Sequence, residues 1–321
     1  MKRIGILTSG GDAPGMNAAV RAAIRCGIDR GMEVYGIERG YDGLLDGHMR
    51  LMQWTDGGDI LHKGGTILKT ARCERFLEDK WQQHAVKMLE TFGIEGLIVC
   101  GGDGTARGGL ELSRRGVKVM AIPGTIDNDL GYSDYTIGFD TAVNTVLSLI
   151  SNIRDTSSAH ERTTIIEVMG RHCGDLAMHA GLAGGADVIL VPEVKSDIKE
   201  VCRKVLRGQS SGKCHSLIVM AEGVDMNPEE LAKTLEEMTG REARAVVPGY
   251  IQRGGSPTQR DRLLATLTAD KAVELLYGDS DSKAIGMRGD EVVVTDLETA
   301  LNLPNEFNKK LYDLTDLLAG K

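Results

Sequence analysis

Short β-branched apolar runs, most of them followed by a helical stretch, constrain this chain more than any other feature. They stand near residues 3–8, 33–37, 96–100, 117–122, 164–168, 188–191, 216–220 and 244–247. Each is too short for a buried helix and too continuously apolar for a strand with one wet face, so each reads as a buried strand. The clearest helical stripe places Phe139, Val143, Val146, Leu147, Ile150 and Ile153 on one face. Alternation of strand and helix predicts an α/β fold with mainly parallel sheets. Asn227-Pro228-Glu229-Glu230 combines a capping side chain, a first-turn proline and early acid. Ser256-Pro257 is expected to open a long helix over 257–278 in the same way. No repeat with a period of 20 to 50 residues and no low-complexity segment competes with this reading.

A chain of 321 residues is expected to hold about two domains. Its 41 glycines are about twice the average share, so many backbone positions need positive φ or close approach. A net charge of −8 argues against a nucleic-acid partner, which calls for a basic surplus. Scattered basic residues beside glycines suit small anionic ligands. No apolar run nears the roughly 18 residues of a membrane span. The opening MKRIGILTSGG is too brief for a secretory core. The cysteines, Cys26, Cys73, Cys100, Cys173, Cys202 and Cys214, form no CxxC pair. Neither a zinc site nor a disulfide framework is expected, and a cytoplasmic setting fits.

The chemistry concentrates in loops that follow strands. After Ile4–Thr8 come Ser9-Gly10-Gly11-Asp12-Ala13-Pro14-Gly15-Met16-Asn17, then a helix expected from Ala18. A loop at the carboxyl end of a parallel strand offers backbone N–H groups and a helix dipole to phosphate. A tight strand-to-helix turn explains the glycines equally well. After Leu97–Cys100 comes Gly101-Gly102-Asp103-Gly104-Thr105, where a carboxylate among backbone donors suits Mg²⁺ carried on a nucleotide. It matches neither Walker A nor GxGxxG, and the lysine-bearing segment 207–215 has the wrong glycine spacing. After Val119–Ile122 comes Pro123-Gly124-Thr125-Ile126-Asp127-Asn128-Asp129. In an extended loop, Asp127 and Asp129 face one side and can divide base and metal duties. An Asx-rich turn explains the same residues without chemistry.

GGDAPGMN, GGDGT and PGTIDND, in this order, resemble the signature segments of the ATP-dependent 6-phosphofructokinase family. The similarity runs on through SAHERT at 158–163, VMGRHCGD at 168–175, MAEG at 220–223 and GYIQRGGSPT at 249–258. It implies two Rossmann-like α/β/α lobes with the active site in the cleft between them. The ATP lobe is expected from 1–138 plus 256–305, and the sugar-phosphate lobe from 139–255 plus 306–321. The implied reaction is phosphorylation of fructose 6-phosphate at its 1-hydroxyl by ATP with Mg²⁺. Asp127 is then the base, with Gly11, Arg72, Thr125 and Arg171 about the transferring group, where positive charge offsets developing negative charge. Asp103 and Asp129 hold the metal. Tyr41, Cys73, Phe76, Gly102, Gly104 and Thr105 are nucleotide positions. Thr125, Asp127, Asp129, Arg162, Met169, Gly170, Arg171, Glu222, Arg244, Tyr250 and Arg253 meet the sugar phosphate, whose anionic group suits the arginine fork.

In the family, the residues matching Arg162 and Arg244 come from a neighbouring subunit, which implies a homotetramer. Its effector site, for ADP or phosphoenolpyruvate, maps onto Arg21, Arg25, Arg154, Gly185, Asp187, Ser211, Lys213 and His215. The chain departs from the family at Tyr250, where histidine is usual, at Ser211, where arginine stands, and at Asp187, where glutamate is common. Tyr250 brings a phenol without positive charge, and Ser211 removes one phosphate contact. Pyrophosphate-dependent relatives carry Asp at the position of Gly104 and Lys at Gly124, so glycine at both implies ATP. GGDGT also occurs in NAD kinases and diacylglycerol kinases, but those have no place for PGTIDND. An inactive nucleotide-sensing paralogue is expected to have lost a carboxylate, and Asp103, Asp127 and Asp129 are all present.

Overall fold

The computed structural model describes residues 1–318, and these divide into two compact units. Unit 1 comprises Met1–Thr141 and Arg253–Asn305; unit 2 comprises Ala142–Gln252 and the residues from Glu306 onward. Along the chain, unit 1 begins with β1 (Arg3–Thr8), α1 (Met16–Asp29), β2 (Glu33–Ile37), α2 (Gly40–Asp46), β3 (Met49–Leu51) and α3 (Asp79–Phe92). It continues with β4 (Gly96–Gly101), α4 (Asp103–Ser113), β5 (Lys118–Thr125) and β6 (Ile137–Gly138). Helix α5 (Phe139–Ala159) carries the chain into unit 2, which holds β7 (Thr163–Val168), α6 (Asp175–Ala183), β8 (Val188–Leu190) and α7 (Ile198–Ser210). There follow β9 (Ser216–Ala221), α8 (Pro228–Thr239) and β10 (Ala243–Val246). The chain returns to unit 1 with α9 (Gln259–Tyr277), β11 (Lys283–Arg288), β12 (Glu291–Asp296) and α10 (Leu297–Leu301), and α11 (Lys309–Leu318) belongs to unit 2.

The unit 1 sheet is ordered β12-β11-β5-β4-β1-β2-β3, with β6 beside the end of β5. Its pairings are parallel except at the two edges, where β3 and β12 run antiparallel. Ile4, Ile6, Leu7, Leu97, Ile98, Val99 and Val119 are essentially without solvent contact, as expected of central parallel strands covered on both faces. The unit 2 sheet, β10-β7-β9-β8, is wholly parallel, and Ile165, Ile218 and Met220 share a core with Leu231 and Leu235. Among the described residues no helix is long and apolar enough to cross a membrane, and no disulfide joins the cysteines.

Four strands escape the sequence reading. β3 and β6 are too short to show a pattern, and β11 and β12 lie beyond the last run read as a strand. Asn227 caps α8 as expected, accepting from Glu229 N and Glu230 N at 3.0 Å. Ser256-Pro257 does not open α9. Thr258 is the cap instead, its hydroxyl accepting from Asp261 N at 3.3 Å, because only a residue directly before the first turn reaches the orphan N–H groups.

Asp261 ties the returning segment to β6 and α5. Its Oδ1 accepts from Gly138 N at 2.9 Å, and its Oδ2 accepts from Thr141 N at 2.8 Å and from the Thr141 hydroxyl. Burial outweighs these bonds and pushes its pKa up to about 6. A carboxyl that binds its proton more tightly folded than unfolded adds stability at low pH and loses it as pH rises through the folded value. The stability difference between wild type and Asp261→Asn should shrink by on the order of 3 kcal/mol from pH 4 to pH 7 and then level off. Urea unfolding at several pH values checks this, and a difference constant across that window would exclude it.

Candidate active site

The three glycine- and aspartate-rich loops leave the carboxyl ends of β1, β4 and β5, which are neighbours in the sheet. From β1 the chain goes outward to β2 on one side, and then returns to β4 on the other, so the β1/β4 boundary is a topological switch point. The loops interlock: Ser9 N donates to Cys100 O at 3.1 Å, and the Thr105 hydroxyl donates to Ser9 O at 3.1 Å. Gly10 N reaches Ala71 O at 3.4 Å while the Thr70 hydroxyl donates to Gly10 O at 2.7 Å. These bonds bring Arg72 alongside the first loop. The Arg253 guanidinium lies against Gly11: a Cβ there would stand 2.5 Å from its Nη1 and would push that side chain aside. That arginine also donates to Asp12 O at 3.2 Å, so in unit 1 it packs on the phosphate-type loop. Helix α1 opens at Met16, two residues earlier than expected.

In the second loop Gly102 stands at the N-cap of α4, and Asp103 occupies its first turn, where a negative charge is favoured by the helix dipole. Arg107, one turn on, donates to Asp103 Oδ2 at 2.8 Å and reaches Leu301 O at 3.4 Å. Sequence reasoning passed over Arg107, although the i,i+4 spacing from Asp103 is a signal for such a pair. Tyr41 and Phe76 are almost wholly buried and stacked, with ring centroids 4.2 Å apart. The Tyr41 hydroxyl donates to Thr105 O at 2.6 Å, so these rings brace the first turn of α4. Cys73 is half-buried, with its thiol 3.7 Å from Asp42 Oδ1, and burial raises its pKa.

The third loop is not extended. Asn128 sits at φ +53°, a left-handed conformation that asparagine tolerates better than most residues. Its Oδ1 accepts from Thr136 N at 3.0 Å, and the Thr136 hydroxyl donates to Thr125 O at 2.6 Å. The alternation argument for Asp127 and Asp129 therefore does not hold. Asn128 ties this loop to Thr136, with a carboxylate on either side. Asp127 is 1% exposed and its backbone N–H reaches the Thr125 hydroxyl at 3.2 Å.

In unit 2 the chain after β7 turns sharply, with Gly170 at φ +136° and Arg171 at +53°. Glu222, just past β9, accepts from Gly170 N at 3.3 Å and Arg171 N at 2.8 Å. Met169 N donates to Gln252 Oε1 at 3.0 Å. Glu222 thus holds the backbone of the Arg171 loop. Arg162 precedes β7, and Arg244 pairs in register with Thr164. Both lie at the amino end of the sheet, a strand length of roughly 15–20 Å from that loop. Arg244 Nε donates to Glu242 at 2.7 Å, and Tyr250 is 84% exposed.

A family model described as phosphofructokinase matches residues 3–276. The chain belongs to the phosphofructokinase family. It is 53% identical over 319 residues to an ATP-dependent 6-phosphofructokinase of Alkaliphilus metalliredigens, covering 99% of this chain and 100% of that one. Its identity to the enzyme of that name from Clostridium tetani is 52% over the same span. The solved phosphofructokinase of Saccharomyces cerevisiae matches at a TM-score of 0.89 and 32% identity, over 99% of this chain and 48% of that one. This chain therefore spans about half the yeast chain. A pyrophosphate-dependent phosphofructokinase from Marinobacter aquaeolei, at 20% identity and a TM-score of 0.84, shares the fold.

The residues expected at an effector site fall in small groups. Arg21 and Arg25 line a pocket of about 350 Å³ with Gly57, Gly58, Asp59, Leu61, His62 and Arg262, and the Arg25 guanidinium lies 5.1 Å from the Trp54 ring centre. In unit 2, Arg154 donates to Gly184 O and to Gly185 O. Lys213 pairs with Asp187 at 2.6 Å. Ser211 ends α7, its hydroxyl donating to Arg207 O at 3.0 Å, and His215 Nδ1 stands 3.6 Å from the Cys214 sulfur.

Among the described residues no three His, Cys, Asp or Glu side chains group as a metal cage. Mg²⁺ needs none, since it is held by one or two carboxylates with water and substrate phosphates. Asp103, in the first turn of α4, and Asp129, directly after Asn128, are hard oxygen donors of that kind, so the residues present fit the ion.

Proposed function

We propose that this chain transfers the γ-phosphoryl group of ATP to the 1-hydroxyl of fructose 6-phosphate, yielding fructose 1,6-bisphosphate and ADP, a step of glycolysis in the cytoplasm. The observation that carries it is the convergence of the three loops on adjacent parallel strands at a switch point, in a chain about half identical to ATP-dependent 6-phosphofructokinases along its length. Asp127 accepts the hydroxyl proton as the oxygen attacks. Gly11, Arg72, Thr125 and Arg171 position the phosphoryl group and stabilise its charge. Asp103 and Asp129 would hold Mg²⁺, which supplies charge neutralisation on the phosphate oxygens. Arg107 must yield Asp103 to the ion, and its exposed position makes that inexpensive.

Nucleotide preference follows from two glycines. A Cβ at Gly104 would meet nothing within 4 Å, which leaves open space beside the loop. At Gly124 it would stand 2.8 Å from Cys100 Sγ and 3.1 Å from Gly101 N, so packing as well as ligand space excludes a lysine there. A coupled assay with fructose 6-phosphate and Mg²⁺ should show ADP release from ATP and far slower turnover with pyrophosphate. Equal rates with the two donors would sink the preference, and no ADP release would sink the enzyme reading.

Fructose 6-phosphate meets Met169, Gly170, Glu222, Tyr250 and Arg253 of one copy with Arg162 and Arg244 of a second, in a homotetramer. The distance of those two arginines from the Arg171 loop supports this division. Run across a dilution series, the same assay should lose activity per chain as the copies separate. ADP or phosphoenolpyruvate is read at the effector positions through Arg21, Arg25 and Arg154, weakened by Ser211.

A further inference from the structure

Residues 58–73 of unit 1 contain no helix or strand. A stretch that long without structure of its own is uncommon in a compact unit and is usually functional. Its backbone N–H and C=O groups still need partners. They find them on β1, on the first glycine-rich loop and on the start of α1.

The anchors follow one another along the chain. Asn17, in the first turn of α1, has no solvent contact and commits its amide to this segment. Its Nδ2 donates to Lys63 O at 3.0 Å and to Gly65 O at 2.8 Å, and its Oδ1 accepts from Ile67 N at 2.8 Å. Thr8, fully buried at the end of β1, donates to Lys69 O at 2.8 Å. That bond uses its one proton, so the Thr66 hydroxyl, 3.0 Å away, donates to Thr8, and it accepts from Leu68 N at 3.3 Å. The relay therefore runs from Leu68 N through two hydroxyls to Lys69 O. Lys69 is held at φ +57°, a left-handed conformation that persists only where the surroundings over-determine it. The bonds of Thr70 and Ala71 to Gly10 come next, and directly after them stands Arg72, which is exposed. At the other end Gly64 lies against Gly255, where a Cβ would stand 2.3 Å from the Gly255 carbonyl oxygen.

We propose that Asn17 and Thr8 are positioning residues for phosphoryl transfer: by pinning the backbone of residues 63–69 they set where Arg72 stands beside the first loop. The proposal rests on the assignment of Arg72 to the transferring group. Apolar packing alone would cover β1 but leave the segment free to slide. Directed hydrogen bonds from two buried side chains fix it atom by atom, as a charge aimed at a transition state requires.

The test uses the full-length protein with Asn17→Ala and Thr8→Val, each made in the wild-type and in the Arg72→Ala background. Steady-state kinetics with ATP, Mg²⁺ and fructose 6-phosphate give kcat and KM, and urea unfolding defines conditions in which every variant is folded. In the wild-type background each change should lower kcat by about ten- to a hundredfold, with KM for fructose 6-phosphate within about twofold. In the Arg72→Ala background the same changes should alter kcat by less than about twofold, because residues that act through one group are not additive. Equal losses in both backgrounds would mean a merely structural role and overturn the proposal. So would wild-type kcat in folded variants, or a loss confined to KM. Should Asn17→Ala fail to fold, Thr8→Val, which keeps the side-chain shape, decides by the same comparison. If Arg72→Ala itself lowers kcat while the two changes do not, only the positioning role falls. If Arg72→Ala turns over like wild type, the assignment of Arg72 falls and the proposal with it.

Discussion

Replacing Asp127 by serine should lower kcat by about 10²- to 10⁴-fold, the range for removing a positioned general base, while sugar-phosphate binding is nearly kept. The loop should survive the change, because Asn128 and Thr136 hold much of its shape. Asn128 takes the left-handed backbone and accepts from Thr136, and Thr136 closes back on Thr125 O. Rapid-quench measurement of the chemical step, with equilibrium binding of fructose 6-phosphate, checks the split. If binding disappeared along with turnover, Asp127 would be a structural residue and the base would have to be sought elsewhere.

Gly223→Ala should cost about 10²-fold in kcat/KM, although Gly223 itself carries no functional group. A Cβ there would run into the carbonyl of Arg171 and come within 3.3 Å of His172 Cα. Both obstacles are backbone and cannot rotate aside. The loop they belong to has positive φ at Gly170 and Arg171 and hangs from Glu222 by two N–H bonds. Relief therefore means moving Arg171, and a displacement near 1 Å at a charge-stabilising group costs about that factor. Overpacking should also remove about 1–3 kcal/mol of stability. Kinetics and urea unfolding test both effects. Wild-type kinetics in a variant that is merely less stable would show that Arg171 does not depend on this close approach.

Much of the scaffold was legible in the sequence because central parallel strands are covered on both faces and leave unbroken β-branched runs. The runs at 3–8, 33–37 and 96–100 coincide with β1, β2 and β4 almost to the residue. Edge and late strands were not legible. β12 mixes exposed and half-buried residues and has no fully buried one, and β11 reaches β5 only by returning from far along the chain.

The chemistry was legible as residue types and not as arrangement. Chain order could list Asp103, Asp127 and Asp129. It could not show that Asn128 breaks the extended backbone between the last two, that Arg107 sits on Asp103, or that Tyr41 and Phe76 are core rings bracing a helix. Asp261 carried no signal, since it acquires its environment from segments far away in sequence. Local pattern determined which loops end which strands, because strand and helix periodicities are properties of neighbouring residues. Only the tertiary structure decided what each loop touches, because hydrogen bonds and desolvation depend on residues that the sheet order of unit 1 brings together from opposite ends of the chain.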